Sequence, residues 1–91
     1  MAALFPLGRI VATPGALEVL ASEEPLALLR RHQSGDWGDV GPEDWKMNDR
    51  DLREGERLFS VYELDGARGL RVYVITEWDR SATTILLPEE Y

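Results

Sequence analysis

The 91-residue chain has no cysteine, a single histidine and no apolar run long enough to span a bilayer. Each absence removes a class of chemistry. Without cysteine there is no disulfide scaffold, thiolate zinc site, iron–sulfur ligation or cysteine nucleophile. One histidine excludes a histidine-rich metal site within a single chain. Gly35-x-x-Gly38 is too short for a phosphate-cradling loop and has no lysine after it. No metal and no cofactor are therefore expected. Crossing a membrane takes roughly 18 to 20 apolar residues. The uncharged residues 1–8 are too few for the apolar part of a secretory signal and lack a basic segment before them. These features predict a soluble, cytoplasmic protein with no membrane partner.

Positive charge is also scarce. Ten Lys and Arg stand against 17 Asp and Glu, a net charge of −7. The excess is concentrated in residues 34–56, where eight acids (Asp36, Asp39, Glu43, Asp44, Asp49, Asp51, Glu54, Glu56) face only Lys46, Arg50 and Arg53. Residues 1–33 are neutral in sum. A field of this sign repels phosphate backbones, so no nucleic-acid partner is expected. It permits a basic protein partner and equally serves as a solvated face.

What is present points to one small α+β domain over residues 1–91. Residues 58–87 read as three β-rich runs separated by two short polar breaks, and predict an antiparallel meander. On its first strand Leu58, Ser60, Tyr62 and Leu64 share one side, with Phe59, Val61 and Glu63 on the other. Residues 65–69 predict a glycine-bounded hairpin loop. Val72, Val74 and Thr76 then alternate with Tyr73, Ile75 and Glu77, and two apolar faces mark a central strand. Asp79-Arg80-Ser81 turns the chain into a last strand that Pro88 stops.

Ahead of the meander, residues 4–12 predict a short edge strand. Thr13-Pro14 starts a first helix, with threonine as cap and proline at the first position. Its apolar face carries Ala16, Leu17 and Leu20, and it ends near Ala21. After the polar break at residues 22–24, Pro25 starts a second helix whose stripe is Leu28, Leu29 and His32 and which Gly35 ends. Trp37, between two glycines, gains stability by tucking onto the core. Pro42, Glu43 and Asp44 open a third helix that Gly55 ends. Its inward stripe is Trp45, Asn48 and Leu52, so Asn48 needs backbone partners, which this reading places in the turn at residues 35–38.

Five blocks together carry a likeness: Arg31-His32-x-x-Gly35-Asp36-Trp37-Gly38, Asp44-Trp45-x-x-Asn48, Ser60-x-Tyr62, Thr76-Glu77-x-Asp79-Arg80-Ser81-x-Thr83-Thr84 and Leu87-Pro88-Glu89-Glu90-Tyr91. The chain resembles, over about residues 8–91, a family of small bacterial plasmid-related proteins encoded on plasmids and other mobile elements. Trp78 departs from it, standing where a small residue is expected. The resemblance implies a bacterial, mobile-element origin and an intracellular setting, and brings no activity with it.

The candidate site residues follow from chemistry. His32 has the pKa range of a general base and can be oriented by Asp36 or Glu77; its helical spacing equally fits packing against Leu28 and Leu29. Ser34 or Ser60 with His32 lacks the Gly-x-Ser-x-Gly elbow of a nucleophilic triad. Glu77 and Asp79 fall on one side, and Arg80 can fork onto a carboxylate; the group can hold Mg²⁺, do acid–base work or simply fasten a hairpin end. The acidic third helix can imitate a phosphate track, although its Lys and Arg spacings favour intrahelical pairing.

These observations lead to a domain ordered β-α-α-α-β-β-β, with helices packed on one face of an antiparallel sheet. The function expected is a noncatalytic protein-interaction module with an unidentified protein partner. Trp37, Asn48, Glu77, Asp79 and Arg80 form its surface, where residues 32–37 meet residues 77–80. The alternatives are a small hydrolase-like enzyme using His32 with Asp36, Glu77 or Asp79, and an acidic DNA mimic. Two copies can also pair at an exposed edge of the first or the last strand, and the sequence does not choose between them.

Overall fold

A computed structural model describes residues 3–20, 25–64 and 69–91. The expected polar break at residues 22–24 and, apart from Gly69, the expected hairpin loop at residues 65–69 lie outside the described residues. The elements run β1 (Arg9–Ala12), α1 (Pro14–Val19), α2 (Pro25–Gln33), α3 (Pro42–Glu54), β2 (Leu58–Glu63), β3 (Arg71–Thr76) and β4 (Ala82–Leu86), followed by a 3₁₀ turn at Pro88–Glu90. This is the expected α+β order.

The local signals act as their chemistry dictates. The Thr13 hydroxyl accepts the Ala16 amide at 3.2 Å, with Pro14 at the first position of α1. Pro42 opens α3 with Glu43 and Asp44 in its first turn, and Gly55 ends it. The apolar face expected for α1 is narrower than its spacing suggests: Ala16 and Leu20 are buried, while Leu17 is exposed.

The sheet order is β1-β4-β3-β2. β2, β3 and β4 form the antiparallel meander, and β3 is a central strand as its two apolar faces require. β1 joins parallel to β4, with Arg9 opposite Ala82 and Ala12 opposite Ile85, so the sheet is mixed. A parallel pair needs a long crossover, and here the helices and two strands supply it. β4 therefore has neighbours on both sides and offers no edge, which removes the last strand from the pairing alternatives. Gly8 lets β1 enter this register: at φ +67° a Cβ there would lie 2.4 Å from the Arg80 and Ser81 carbonyl oxygens.

One face of the sheet carries Tyr62, Leu64, Val72, Val74 and Ile85, which pack against Ala16, Leu20 and Leu29 of α1 and α2. A second cluster at one end joins Phe5, Trp37 and Leu58, with Trp45 and Leu52 of α3 against it. α3 lies along the outer edge of β2, where Asn48 meets the backbone of Phe59. On the other face Tyr91, brought round by the 3₁₀ turn, stands edge-on to Phe59 at 5.7 Å and to Tyr73 at 5.9 Å.

Candidate functional site

His32 comes off α2 under the covered face of the sheet and is fully buried. Its Nδ1 lies 2.6 Å from the Ser60 hydroxyl and its Nε2 2.8 Å from the Thr76 hydroxyl. The chain continues: Thr76 meets Thr83 at 2.7 Å, and Thr83 donates to the Leu7 carbonyl at 2.7 Å. One proton per hydroxyl fixes every direction. Thr83 spends its proton on Leu7, so Thr76 must donate to Thr83 and accept from Nε2–H. Nδ1 is then the acceptor, and Ser60 donates to it. The imidazole is neutral, and burial, with the Arg80 charge as a lesser cause, pushes its pKa down to about 3. Neither Asp36 nor Glu77 orients it. A base needs access and a pKa near the working pH, and His32 has neither.

Asp36 instead ties its own turn. Its carboxylate takes the Arg31 guanidinium at 2.8 Å and the Gly38 amide at 3.1 Å, and the Arg31 bond holds its pKa below the usual range. The Asp36 carbonyl accepts the Tyr62 hydroxyl at 2.6 Å, and the Arg31 guanidinium stacks 4.5 Å over the Tyr62 ring. Burial raises the pKa of that phenol.

Trp37 is fully buried, edge-on to His32 at 5.6 Å, and donates its indole N–H to Asp49 at 2.9 Å. Asn48 is buried as expected, but its partners lie in β2 rather than in the turn at residues 35–38. It donates to the Phe59 carbonyl at 2.8 Å and accepts the Phe59 amide at 3.1 Å. Its spacing showed only that it faces inward, and the edge of β2 is the unpaired backbone nearest that side. Trp37 thus has no surface to offer a partner, whereas Asn48, although buried, lines the groove between α3 and the sheet.

The turn at residues 77–81 does reach the same end of the molecule. Arg80 lies 5.6 Å over the Phe5 ring, and Phe5 touches His32 edge-on at 5.2 Å. The fork expected onto a carboxylate goes to carbonyls: the Arg80 guanidinium donates to the Glu56 and Glu77 backbone oxygens. Asp79 accepts the Ser81 amide at 3.0 Å, and the Ser81 hydroxyl and amide lower its pKa. Glu77 contributes backbone bonds to Ala82 and Arg80. Among the described residues no three His, Asp or Glu side chains converge as metal ligands. The structure therefore brings His32 and residues 77–80 together through Phe5 and Arg80, in a packed corner rather than a cleft.

The open space is elsewhere. A groove of about 500 Å³ runs between α3 and the face of the sheet opposite α1 and α2. Phe59, Val61 and Tyr73 form its floor, Met47, Asp44 and Asp51 of α3 one wall, and Arg57, Arg71 and Asp39 its rim. Phe59 and Tyr73 lie 4.7 Å apart between centroids, and Arg57 stacks 5.4 Å over Tyr91. Arg71 pairs with Asp39 at 2.8 Å. Of the site residues expected from the sequence only Asn48 lines this groove; the rest of it was missed, although two outward aromatics on adjacent strands of the meander were its signal. On α3 the bonds differ from the i+4 ion pairing that the spacing suggests: Arg50 lies 3.6 Å from its neighbour Asp51, and Arg53 donates to the Asp49 backbone carbonyl rather than to a carboxylate.

Compared with protein families, curated proteins and solved structures, the chain matches none.

Proposed function

We propose that the chain is a small noncatalytic protein-interaction module of bacterial mobile-element origin, and that its partner docks in the groove between α3 and the sheet. The observation that carries this reading is the groove itself: an open concavity with aromatic floor, Met wall and charges of both signs on its rim. Aromatic and Met side chains dominate the fully desolvated centres of interfaces, and a polar rim sets register. Of the polar side chains marked by the sequence, His32, Asp36 and Arg80 are bonded within the fold and Asn48 lines the groove, so the proposed binding surface moves from residues 32–37 and 77–80 to this groove. The origin rests on the resemblance alone.

Site-specific photo-crosslinking in the native host tests it. A photoreactive residue at Met47, half-exposed in the groove wall, should give a discrete adduct with one host protein. The same residue at Leu26, equally exposed on α2 outside the groove, should not. Equal labelling from both positions, or no adduct from Met47, contradicts the proposal.

A further inference from the structure

The two edges of the sheet are treated differently. At β2 the outward backbone groups of Phe59 are closed by Asn48, and those of Val61 by Trp37 and Asp39. At β1 the Arg9 and Thr13 amides bond to Ser81 and Ile85 of the β4 side. Backbone direction alternates along a strand, so Ile10 and Ala12 point their N–H and C=O groups away from the sheet. No described residue outside the strands bonds to them. Ile10 and Val11 are 52% and 39% exposed beside this open row.

We propose that two copies of the chain pair antiparallel through β1, about a twofold axis at Val11, to make one continuous eight-stranded sheet. This register sets Ile10 opposite Ala12 of the second copy, and each such pair exchanges two backbone bonds. Val11 faces its own copy in the close, non-hydrogen-bonded position, where apolar cross-strand contact is strongest. Arg9, exposed and in no ion pair among the described residues, falls opposite Thr13 of the second copy. The Thr13 hydroxyl holds the Glu90 carboxylate, so each guanidinium arrives beside an acid. The acidic segment at residues 34–56 includes α3, on the β2 side, away from the edge where the copies meet. These features select a second copy over a foreign strand. The proposal is independent of the groove.

Sedimentation over a concentration series tests it, on wild type, Ile10→Pro and Arg9→Glu. Proline at residue 10 removes only an outward N–H, a loss that edge strands tolerate. The expected result is a wild-type dimer, weakened about tenfold or more by Ile10→Pro and also weakened by Arg9→Glu. A wild-type monomer throughout, or a dimer that folded Ile10→Pro leaves unchanged, overturns the proposal. Should Ile10→Pro fail to fold, hydrogen exchange on wild type decides. The Ile10 and Ala12 amides gain protection with concentration if the pairing is right, and exchange independently of concentration if it is wrong.

Discussion

Asn48 shows what a single side chain does for this fold. Its amide has one donor–acceptor face that matches the C=O and N–H of Phe59, so it substitutes for a neighbouring strand at the edge of β2. Asn48→Ala leaves both groups unpaired where α3 shields them, and should lower stability by about 2–3 kcal/mol in urea titration. His32 makes a second prediction. Its unfolded pKa is near 6.5 and its folded pKa is lowered to about 3, so only the unfolded chain gains a proton between these values. Stability is therefore complete above pH 6.5 and falls as pH drops, by roughly 2 kcal/mol from this residue between pH 7 and 5. Urea midpoints measured across that window check the sign. Asp36, whose pKa is also lowered, adds a loss in the same direction at more acid pH.

At the scale of elements, the turn at residues 35–38 and α3 act as one lid on β2. Gly38 pairs with Val61 as a one-residue parallel bridge, at φ +78°, and a Cβ there would lie 2.1 Å from the Val61 oxygen. Gly38→Ala should destabilise by at least about 2 kcal/mol and raise amide exchange at Val61, readable by NMR. The helices, the meander and the central position of β3 were legible because each has a local cause: a cap, a proline, an alternation. The parallel seat of β1 was not, because pairing partner and direction are properties of the assembled sheet. The relay was half legible. Ser60, Thr76 and Thr83 are hydroxyls at inward positions of an apolar face, which signals a shared buried polar partner, and His32 is the one imidazole available. The candidate site misled for the same reason. Spacing brings His32, Trp37 and residues 77–80 toward one corner, but cannot say that the polar atoms of His32, Trp37 and Arg80 are already taken by Ser60, Thr76, Asp49 and backbone carbonyls.

Across the whole molecule, polarity is sorted by edge. The sealed edge at β2 and α3 carries the acidic segment and the groove; the open edge at β1 carries Arg9, with the Glu90 carboxylate held at Thr13. No helix among the described residues is long and apolar enough to cross a membrane. If the groove is where the partner sits, Met47→Lys should weaken that complex about tenfold or more while shifting folding stability by less than about 0.5 kcal/mol, because Met47 is half-exposed. Calorimetric titration of the crosslinked partner, beside thermal melts, separates the two effects.

The most direct test of the account is the ¹⁵N NMR spectrum of His32 followed from pH 8 to 4.5. A histidine committed to the fold stays neutral with its proton on Nε2 over that whole range, coupled to the Ser60 and Thr76 hydroxyls. An imidazole that titrates near pH 6.5, or that carries its proton on Nδ1, contradicts the architecture described and returns His32 to the surface as a working base.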